Sequence, residues 1–302
     1  MGFRTLDICQ AAEVHIKMGQ IEISSSSGTV SVPVEDLFQI TAHGANIRLS
    51  TMDLSILARN NVSLLTFDEK YLPTAVMLPF EGNARQAKIM HAQVAFSKEQ
   101  YEQLWIRIIK YKINNQARVL NILGELGSDI VAKYGASISV ENVDYNESLA
   151  AKEYFKYYRD GLNRRLDDPI NSRLNYGYAV VRSAIIRTLV TAGFHPAFGI
   201  HHNNQLNLYN LADDLIEPYR QIVDLLASQN VGESNVLLSK AERKNMANVL
   251  HIACSLDGIK MNVMSAIEMT VDSLKRILVK GLKEELLLPC VLPVESIGGV
   301  TE

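Results

Sequence analysis

The sequence predicts an α+β fold, in which a small N-terminal β domain precedes a larger all-α C-terminal domain. Over the first ~80 residues, short apolar runs alternate with turn residues, which is typical of strands. From about Asn83 onward, apolar residues recur instead at the 3.6-residue period of helices. We therefore assign residues 1–82 to the β domain and residues 83–302 to the helical domain.

Short strands and one helix are expected in the N-terminal domain. Thr51 is a suitable N-cap for the helix Met52–Arg59, and Pro73, Pro79 and Gly82 indicate a linker at the end of the domain. The expected strands are Phe3–Ile8, Val14–Ile16, Ile21–Ile23, Thr29–Val32, Phe38–Ile40, Ile47–Leu49 and the buried strand Val62–Phe67.

Helices are expected throughout the C-terminal domain. The clearest are Tyr101–Leu123, Glu147–Leu162 with Asn146 as its cap, Asn171–Ala192 ended by Gly193, and Leu211–Ala227. Two or three more should lie between Val236 and Leu288, and two prolines predict a loose tail after residue 289.

Composition excludes several classes of protein. A hydrophobic content of 47% with 21% charged residues is ordinary for a soluble globular protein, and no apolar run is long enough to span a membrane. Cys9, Cys254 and Cys290 lack the spacing of a disulfide framework or a zinc site, so we expect a reducing, cytoplasmic setting. The sequence lacks the motifs of P-loop NTPases, dinucleotide-binding enzymes, α/β serine hydrolases and zinc proteases.

Charge placement says more than the net charge of −3. Asp and Glu are absent between Asp168 and Asp213, and again from Leu104 to Gly124, while Lys, Arg or His occur in both segments. Each gap is also compatible with a buried segment. Together they permit a basic face suited to nucleic acid.

A candidate metal site lies in the segment GIHHNNQLNLYNLADDLIEPYR, residues 199–220. Asp214 and Glu217 share a helix face at i, i+3 spacing, and Asp213 could join Glu217 at i, i+4. Carboxylates on one face repel each other unless a cation or a proton lies between them. A solvated acidic face is the alternative. Pro218, which costs ~3 kcal/mol in a regular helix interior, favours a specialised geometry.

Histidines and a distant glutamate extend this candidate. His201 and His202 precede the acidic helix in a polar stretch, and one imidazole with carboxylates suits Mg²⁺ or Mn²⁺. Glu147 opens a predicted helix, where a surface acid favoured by the helix dipole is the alternative. From the residues alone, this is no more than a candidate metal site.

At these residues the sequence resembles the CRISPR adaptation integrases, the "Cas one" endonuclease family, and in particular the forms that accompany single-protein effector nucleases. The matching stretches are ESLAAKEYF at 147–155, DDPINSRLNYGYAVVRSAIIR at 167–187 and HNNQLNLYNLADDLIEPYRQIVD at 202–224. The N-terminal FRTLDI and LSTMDLSILARNNVSLLTFDEKYLPTAVMLPF also fit. The resemblance covers nearly the whole chain and implies a homodimer formed partly through the β domains.

The resemblance also implies the identity of the catalytic metal ligands. Carried over by motif, they are Glu147 of ESLAA, His202 directly before NNQ, and Asp214 and Glu217 of DDLIEP. His201 and Asp213 are then expected to contact these ligands without binding the metal themselves. The expected metal is Mg²⁺ or Mn²⁺.

The implied reaction is phosphoryl transfer, in which a prespacer 3′-hydroxyl attacks a phosphodiester at the repeat boundary. Basic and aromatic residues are expected to hold the DNA: Lys152, Lys156, Arg159, Arg164, Arg165, Arg173, Tyr176 and Arg187. A solvated surface role for the basic residues, and core packing for Tyr176, are the alternatives.

The expected partners are prespacer and repeat DNA, a second copy of the chain and a small second adaptation subunit, with the effector nuclease as a further candidate. Two other functions remain open. One is a stand-alone metal-dependent DNA nuclease, and the other is a DNA-binding scaffold whose acids are only structural.

Overall fold

The computed structural model describes residues 2–44, 46–80, 83–159, 162, 168–229, 238–280 and 284–294. Within the first 80 residues, strands form two sheets with the orders β1-β5-β7-β8 and β4-β3-β2-β6. The strands are β1 Arg4–Ile8, β2 Ala12–Lys17, β3 Gln20–Ser25, β4 Gly28–Pro33, β5 Leu37–Ala42, β6 Ile47–Arg48, β7 Ser63–Phe67 and β8 Pro73–Met77.

Helix α1, Thr51–Arg59, crosses over between β6 and β7, so that β7 pairs in parallel with β5. Its N-cap is Ser50 rather than the predicted Thr51, and Ser50 and Asp53 form a capping box. Asp53 also accepts a hydrogen bond from the Ile16 backbone N–H at 2.7 Å, which ties the helix to β2.

Part of the predicted linker is a strand. In β8, Val76 pairs with Leu65 of β7 at the edge of the sheet. Pro73 begins the strand, a position where its missing N–H costs no ladder bond. The strand is largely exposed, so it lacks the hydrophobic alternation on which sequence assignment depends.

The C-terminal part is mostly helical. Its helices are α2 Gln86–Ala95, α3 Lys98–Leu123, α4 Ser128–Ala136, α5 Val143–Tyr158, α6 Pro169–Ala192, α7 Asn210–Leu215, α8 Arg220–Ser228, α9 Lys240–Ala247 and α10 Val263–Lys280. Short 3₁₀ turns lie at Val34–Asp36, Glu217–Tyr219 and Asn248–His251. None of the described helices is both long and apolar enough to cross a membrane.

The prediction of an all-α C-terminal domain is wrong, and so is the predicted loose tail as far as residue 294, since the rest of the tail lies outside the described residues. Strands β9 Ala253–Leu256, β10 Ile259–Asn262 and β11 Pro289–Val291 form an antiparallel sheet in the order β10-β9-β11. Strands of three or four residues are too short to show a periodicity in the sequence. Leu286, Leu288 and Val291 are at most 3% exposed, so the segment around residue 289 is packed into the core.

Two predicted helices differ from the observed ones near the candidate site. Helix α5 begins at Val143 and not at Glu147, so Glu147 lies in its second turn and Asn146 is not its cap. The predicted helix Leu211–Ala227 is interrupted by the 3₁₀ turn that contains Pro218. The predicted end of α6 at Gly193 is confirmed, with φ +96°.

Side chains of α6 join the two parts of the molecule. Arg187 donates to the Asn61 carbonyl at 2.7 Å, and its guanidinium lies 3.8 Å from the centre of the Phe38 ring. The Tyr176 hydroxyl lies 2.6 Å from His43 Nε2 at the end of β5. The N-terminal sheet is thereby fixed against the helix that supports the candidate site.

Candidate functional site

Three elements bring Glu147, Glu217 and Lys112 together. Glu147 comes from α5, Glu217 from the 3₁₀ turn and Lys112 from the long helix α3. The Lys112 ammonium hydrogen-bonds to Glu147 Oε1 and lies 2.6 Å from Glu217 Oε2. The two carboxylates, which are 70 residues apart in the sequence, therefore converge on a single cation position.

Glu217 is buried and strongly polarised. Burial alone would raise the pKa of its carboxyl group, but the charges of Arg220 and Lys112 outweigh burial and lower the pKa to about 2. Arg220 Nε donates to Glu217 Oε1 at 3.0 Å. Glu217 Oε2 is paired with the Lys112 ammonium at 2.6 Å. This oxygen therefore faces a position that a cation already fills.

His202 is held in one orientation by Asp214. Its Nδ1 lies 2.6 Å from Asp214 Oδ1, and its backbone N–H donates to the same oxygen at 3.1 Å. Asp214 Oδ2 accepts from the backbone N–H groups of Ile200 and His201. The close fit requires Gly199, because a Cβ there would lie 2.2 Å from the His202 carbonyl oxygen.

These contacts change the role expected for Asp214. Its side chain is fully buried and both oxygens are occupied by the loop that carries His202. This geometry does not support a direct metal ligand. A metal-binding histidine commonly uses its second ring nitrogen on a carboxylate, and that is the arrangement of Asp214 with His202.

The two supporting residues have separate partners. Asp213 is paired with Arg182, at 2.5 Å and 2.9 Å, and accepts from Asn207 at 2.6 Å. The His201 ring stacks on Trp105, with parallel planes and centroids 4.3 Å apart. His201 therefore supports the wall beside His202, and neither residue contacts Glu147 or Glu217 through a described hydrogen bond.

His202 lines two cavities. One, of about 460 Å³, is lined by His202 and Glu217 together with Asp213, Arg182 and Arg220. The other, of about 750 Å³, is lined by the Trp105–His201 pair and by Lys98, Tyr101 and His202 among others. The smaller cavity combines carboxylates with two guanidinium groups, as a site for a metal and a phosphate would.

The residues present fit a divalent cation of the Mg²⁺ or Mn²⁺ class. Glu147 Oε1 and Glu217 Oε2, which share the Lys112 ammonium, and the His202 ring would supply two hard oxygen donors and one nitrogen. With Nδ1 on Asp214, the remaining donor of His202 is Nε2. The fit includes Glu147, His202 and Glu217 as ligands, and Asp214 as the residue that orients His202.

Two of the predicted DNA contacts, Lys152 and Lys156, lie on α5, and a third, Arg159, is its C-cap. All three are exposed, and the i, i+4 spacing of Lys152 and Lys156 forms one stripe, beyond which Arg159 continues in extended backbone. At 100° per residue, the stripe faces away from Glu147 on the same helix. Arg164 and Arg165 lie outside the described residues.

The other three predicted DNA contacts are buried. Arg173 bonds to Glu242 of α9. Arg187 and Tyr176 bind the N-terminal part, and each of the three is at most 2% exposed. All three side chains bond to other parts of the chain and have a structural role. In this conformation they are not accessible to DNA. The acid-free stretch of α6 is a buried segment, which was the alternative explanation of its charge pattern.

Sequence reasoning overlooked Lys112, Arg220 and Trp105. Lys112 lies in the acid-free segment of α3, and this was its only signal in the sequence. Arg220 is three residues after Glu217 and pairs with it. Trp105 is the single tryptophan of the chain and packs on both histidines of the site.

A cluster of metal-type donors is found elsewhere in the described residues, whereas the donor atoms of Glu147, His202 and Glu217 do not all lie within 4.8 Å of one another. Donor atoms of Asp7, Cys9 and His43 all lie within 4.8 Å of one another. Protons already link them: Cys9 donates to Asp7 at 2.8 Å, and His43 Nε2 contacts Asp7 and the Tyr176 hydroxyl. His43 Nδ1 is buried without a hydrogen bond, unlike the second nitrogen of a typical ligand. We interpret the cluster as a hydrogen-bonded seam between β1, β5 and α6.

Comparison with known proteins identifies the family of the chain. The family model described as CRISPR associated protein Cas1 matches residues 8–254. The chain is 32% identical over 303 residues to the CRISPR-associated endonuclease Cas1 of Neisseria meningitidis serogroup C (strain 8013), which covers 98% of this chain and 99% of that relative.

Solved structures show the same fold at lower identity. A casposase bound to integration product has a TM-score of 0.77 and 18% identity, covering 99% of this chain and 96% of that one. A Cas6-RT-Cas1–Cas2 complex has a TM-score of 0.70 and 17% identity, covering 91% of this chain and 35% of that one. Since the family model spans most of the chain, and the motifs around Glu147 and His202 lie within its match, this chain belongs to the Cas1 family of CRISPR-associated proteins.

Proposed function

We propose that this protein is a metal-dependent DNA integrase and endonuclease of CRISPR adaptation. It would insert prespacer DNA into the CRISPR array by attack of a DNA 3′-hydroxyl on a phosphodiester at the repeat boundary. The observation that carries the proposal is the convergence of Glu147 and Glu217 on one cation position, with Glu217 and His202 lining the same cavity. Membership of the Cas1 family and similarity to a casposase bound to integration product support it.

Glu147, His202 and Glu217 would hold Mg²⁺ or Mn²⁺. Such an ion, when bound, neutralises charge on the phosphate under attack and lowers the pKa of the attacking oxygen. Asp214 keeps the His202 ring in the orientation that leaves Nε2 for this purpose. We assign no side chain as an obligatory general base.

The walls of the smaller cavity would position the phosphate. Arg182 and Arg220 line it, and each is held by an acid, Asp213 and Glu217 respectively. Fixed guanidinium groups stabilise charge on a phosphate without reorganising during the reaction. The reaction then depends on which attacking group enters the cavity. A DNA 3′-hydroxyl would join two DNA strands, and water would cut one.

Partners follow from the same proposal. We infer that the chain acts as a homodimer, with contacts through the N-terminal β part, on prespacer and repeat DNA. The similar Cas6-RT-Cas1–Cas2 complex supports a small second adaptation subunit as a partner. The effector nuclease is a further partner under this proposal.

A strand-transfer assay tests the function. The purified chain, with and without the small second subunit, is incubated with Mn²⁺, a fluorescent prespacer and a supercoiled plasmid that contains the repeat. We expect label in the plasmid, and at least a roughly 100-fold loss of joining in Glu147→Gln and in Glu217→Gln. Glu141→Gln, at an exposed acid just before α5, is the matched control and should join normally.

Other outcomes would favour the alternatives. Metal-dependent degradation without joining, even with the second subunit present, would favour a stand-alone nuclease. DNA binding without either reaction would favour a scaffold. Full joining by Glu147→Gln would contradict the proposed ligand set.

A further inference from the structure

The Lys112 ammonium occupies the position where the two candidate metal ligands meet. It hydrogen-bonds to Glu147 Oε1 and forms an ion pair with Glu217 Oε2 at 2.6 Å. Its side chain is only 11% exposed, against 25% for Glu147 and 8% for Glu217. Lys112 is therefore a largely buried internal counter-ion of this acid pair.

The oxygen atoms of Glu217 are already divided between two cations. Arg220 occupies Oε1 at 3.0 Å, so Oε2 is the oxygen left for a metal. The same Oε2 faces Lys112. A carboxylate oxygen binds Mg²⁺ at about 2.0–2.1 Å and the ion requires oxygen ligands around it, whereas an ammonium presents only protons.

The charges of the site also disfavour binding a metal ion and the Lys112 ammonium together. Glu147 and Glu217 carry two negative charges, and Lys112 and Arg220 balance them. A divalent ion added while both basic groups stay in place would bring the positive charge around the two carboxylates to four. Like charges a few ångströms apart in a buried setting repel strongly.

We propose that Lys112 and the divalent metal ion are mutually exclusive occupants of the Glu147–Glu217 pair, so that metal loading requires the Lys112 ammonium to leave. The inference rests on the proposed metal site and specifies how that site is controlled. In the metal-free protein, Lys112 keeps the two carboxylates together and prevents their repulsion. It thereby preserves the site while lowering its apparent affinity for metal.

Metal affinity tests this directly. Mn²⁺ binding to the full chain is measured by titration calorimetry and by the electron paramagnetic resonance signal of free Mn²⁺. Lys112→Met should bind Mn²⁺ tighter than the wild type, by on the order of tenfold or more, since the competing charge is gone. Lys110→Met, at an exposed lysine of the same helix, should leave the affinity unchanged. Equal or weaker Mn²⁺ binding by a folded Lys112→Met protein would overturn the proposal.

A second variant covers the case in which Lys112→Met does not fold without metal. Lys112→Gln keeps a hydrogen-bond donor between the carboxylates but removes the charge, and it should also bind Mn²⁺ more tightly. Unchanged affinity in this variant would also overturn the competition.

The wild-type chain supplies an independent readout. Acetylation of lysine amines, followed by mass spectrometry, reports how accessible each ammonium is. We expect Lys112 to be protected in the metal-free protein and to react at least several-fold faster with saturating Mn²⁺, while Lys110 reacts equally in both. A Lys112 rate that saturating Mn²⁺ leaves unchanged would contradict displacement.

Glu147→Gln separates this inference from the proposed function. If that variant binds Mn²⁺ as tightly as the wild type, the metal-site assignment fails. If it loses Mn²⁺ binding while Lys112→Met and Lys112→Gln remain at wild-type affinity, the metal site stands and only the competition fails.

Discussion

At the scale of single residues, the pair Asp214 and His202 shows how a buried carboxylate acts through a neighbour. The hydrogen bond to Asp214 raises the pKa of His202 above its ordinary value, although burial acts in the opposite direction. The charges of Asp214, Glu217 and Asp213 raise it further. His202 therefore holds a proton more tightly in the folded, metal-free protein than in the unfolded chain.

Replacing Asp214 should release that proton. In Asp214→Asn the pKa of His202 should fall, since the hydrogen-bonded negative charge is the main cause of its increase. The measurement is an NMR titration of the His202 ring in metal-free protein. Asp213→Asn, which removes only a more distant charge, should give a smaller fall. A His202 pKa that does not change in Asp214→Asn would contradict the assigned contact.

The sign of the pH dependence follows from the same shift. Stability that the protonated His202 contributes is complete below its unfolded pKa of about 6.5 and disappears as pH rises through the raised folded pKa. Mn²⁺ binding changes in the opposite sense, because a proton competes for the ring and leaves as pH rises.

The sequence predicted the positions of the acidic residues near the site better than their roles. The spacing of Asp214 and Glu217 indicated a shared face, yet the two carboxylates act differently: one faces the backbone of the His202 loop, and the other faces the cation position. Helical spacing determines which way a side chain points from the helix, but not which group it contacts. The partner of Asp214 depends on a loop fold that only Gly199 permits.

At the scale of elements, helix α3 is the framework of the site. Asn115, one turn after Lys112 near the middle of this helix, donates to the carbonyls of Pro218 and Pro289 at 2.8 Å and 2.9 Å. It also accepts from the Val291 backbone N–H at 3.2 Å. One amide side chain thus fixes both the 3₁₀ turn that carries Glu217 and the strand β11.

Removing this amide should affect both stability and the site. Asn115→Ala leaves two buried carbonyls and one buried N–H without their partner, which should cost about 2–4 kcal/mol in the free energy of unfolding. Mn²⁺ affinity should fall as well, since the position of Glu217 depends on the hydrogen bond to the Pro218 carbonyl.

Urea denaturation and Mn²⁺ titration measure the two effects. Asn121→Ala, at an exposed position of the same helix, is the matched control and should change neither. A stable Asn115→Ala protein with normal Mn²⁺ affinity would show that the 3₁₀ turn holds its place without this amide.

Elements with strong periodicity were predictable, and short ones were not. The apolar spacing of α3 and α6 placed both helices within a few residues of their observed bounds. Strands β8 to β11 are short segments of weak pattern, and tertiary pairing determines them. Pro218 indicated a specialised geometry, but the 3₁₀ turn that interrupts the predicted helix is held by Asn115, 103 residues away in the sequence.

At the scale of the whole molecule, a negative net charge coexists with a local basic surface. The chain carries a formal charge of −3, while Lys152 and Lys156 form an exposed basic stripe on α5 and Arg159 is exposed at the C-cap of the same helix. Such a stripe can bind phosphates by releasing counter-ions from DNA, and binding of that kind weakens with salt.

Neutralising the stripe should reduce the salt dependence of DNA binding. In the triple variant with alanine at residues 152, 156 and 159, the slope of log K against log salt should decrease by about two to three, because each phosphate that a basic residue neutralises adds ~0.9 to the slope. Fluorescence anisotropy with duplex DNA at several salt concentrations measures it.

A control triple changes the same net charge elsewhere. Lys17→Ala, Arg59→Ala and Lys70→Ala, combined at exposed positions of the N-terminal part, should keep the wild-type slope. If the α5 triple also kept it, the stripe would be an ordinary solvated helix face.

The overall organisation was predictable where composition changes, and less so where distant segments meet. The change from strand to helix pattern located the N-terminal sheets and the mostly helical remainder. The contacts between distant segments could not be predicted. Arg187, Tyr176 and Arg173 resemble surface residues in the sequence, yet they are buried in the fold. Burial even lowers the pKa of Arg187 to about 10, which its pairing with Glu268 offsets only in part.

The bonds between Asn115 and β11 have a consequence for synthesis of the chain on the ribosome. Glu147, His202 and Glu217 all emerge well before Pro289 and Val291, which complete the bonds of Asn115. A nascent chain that has not reached residue 291 therefore has every candidate ligand but an unfinished support for one of them. The last described strand to be translated therefore completes the support of the 3₁₀ turn that carries Glu217.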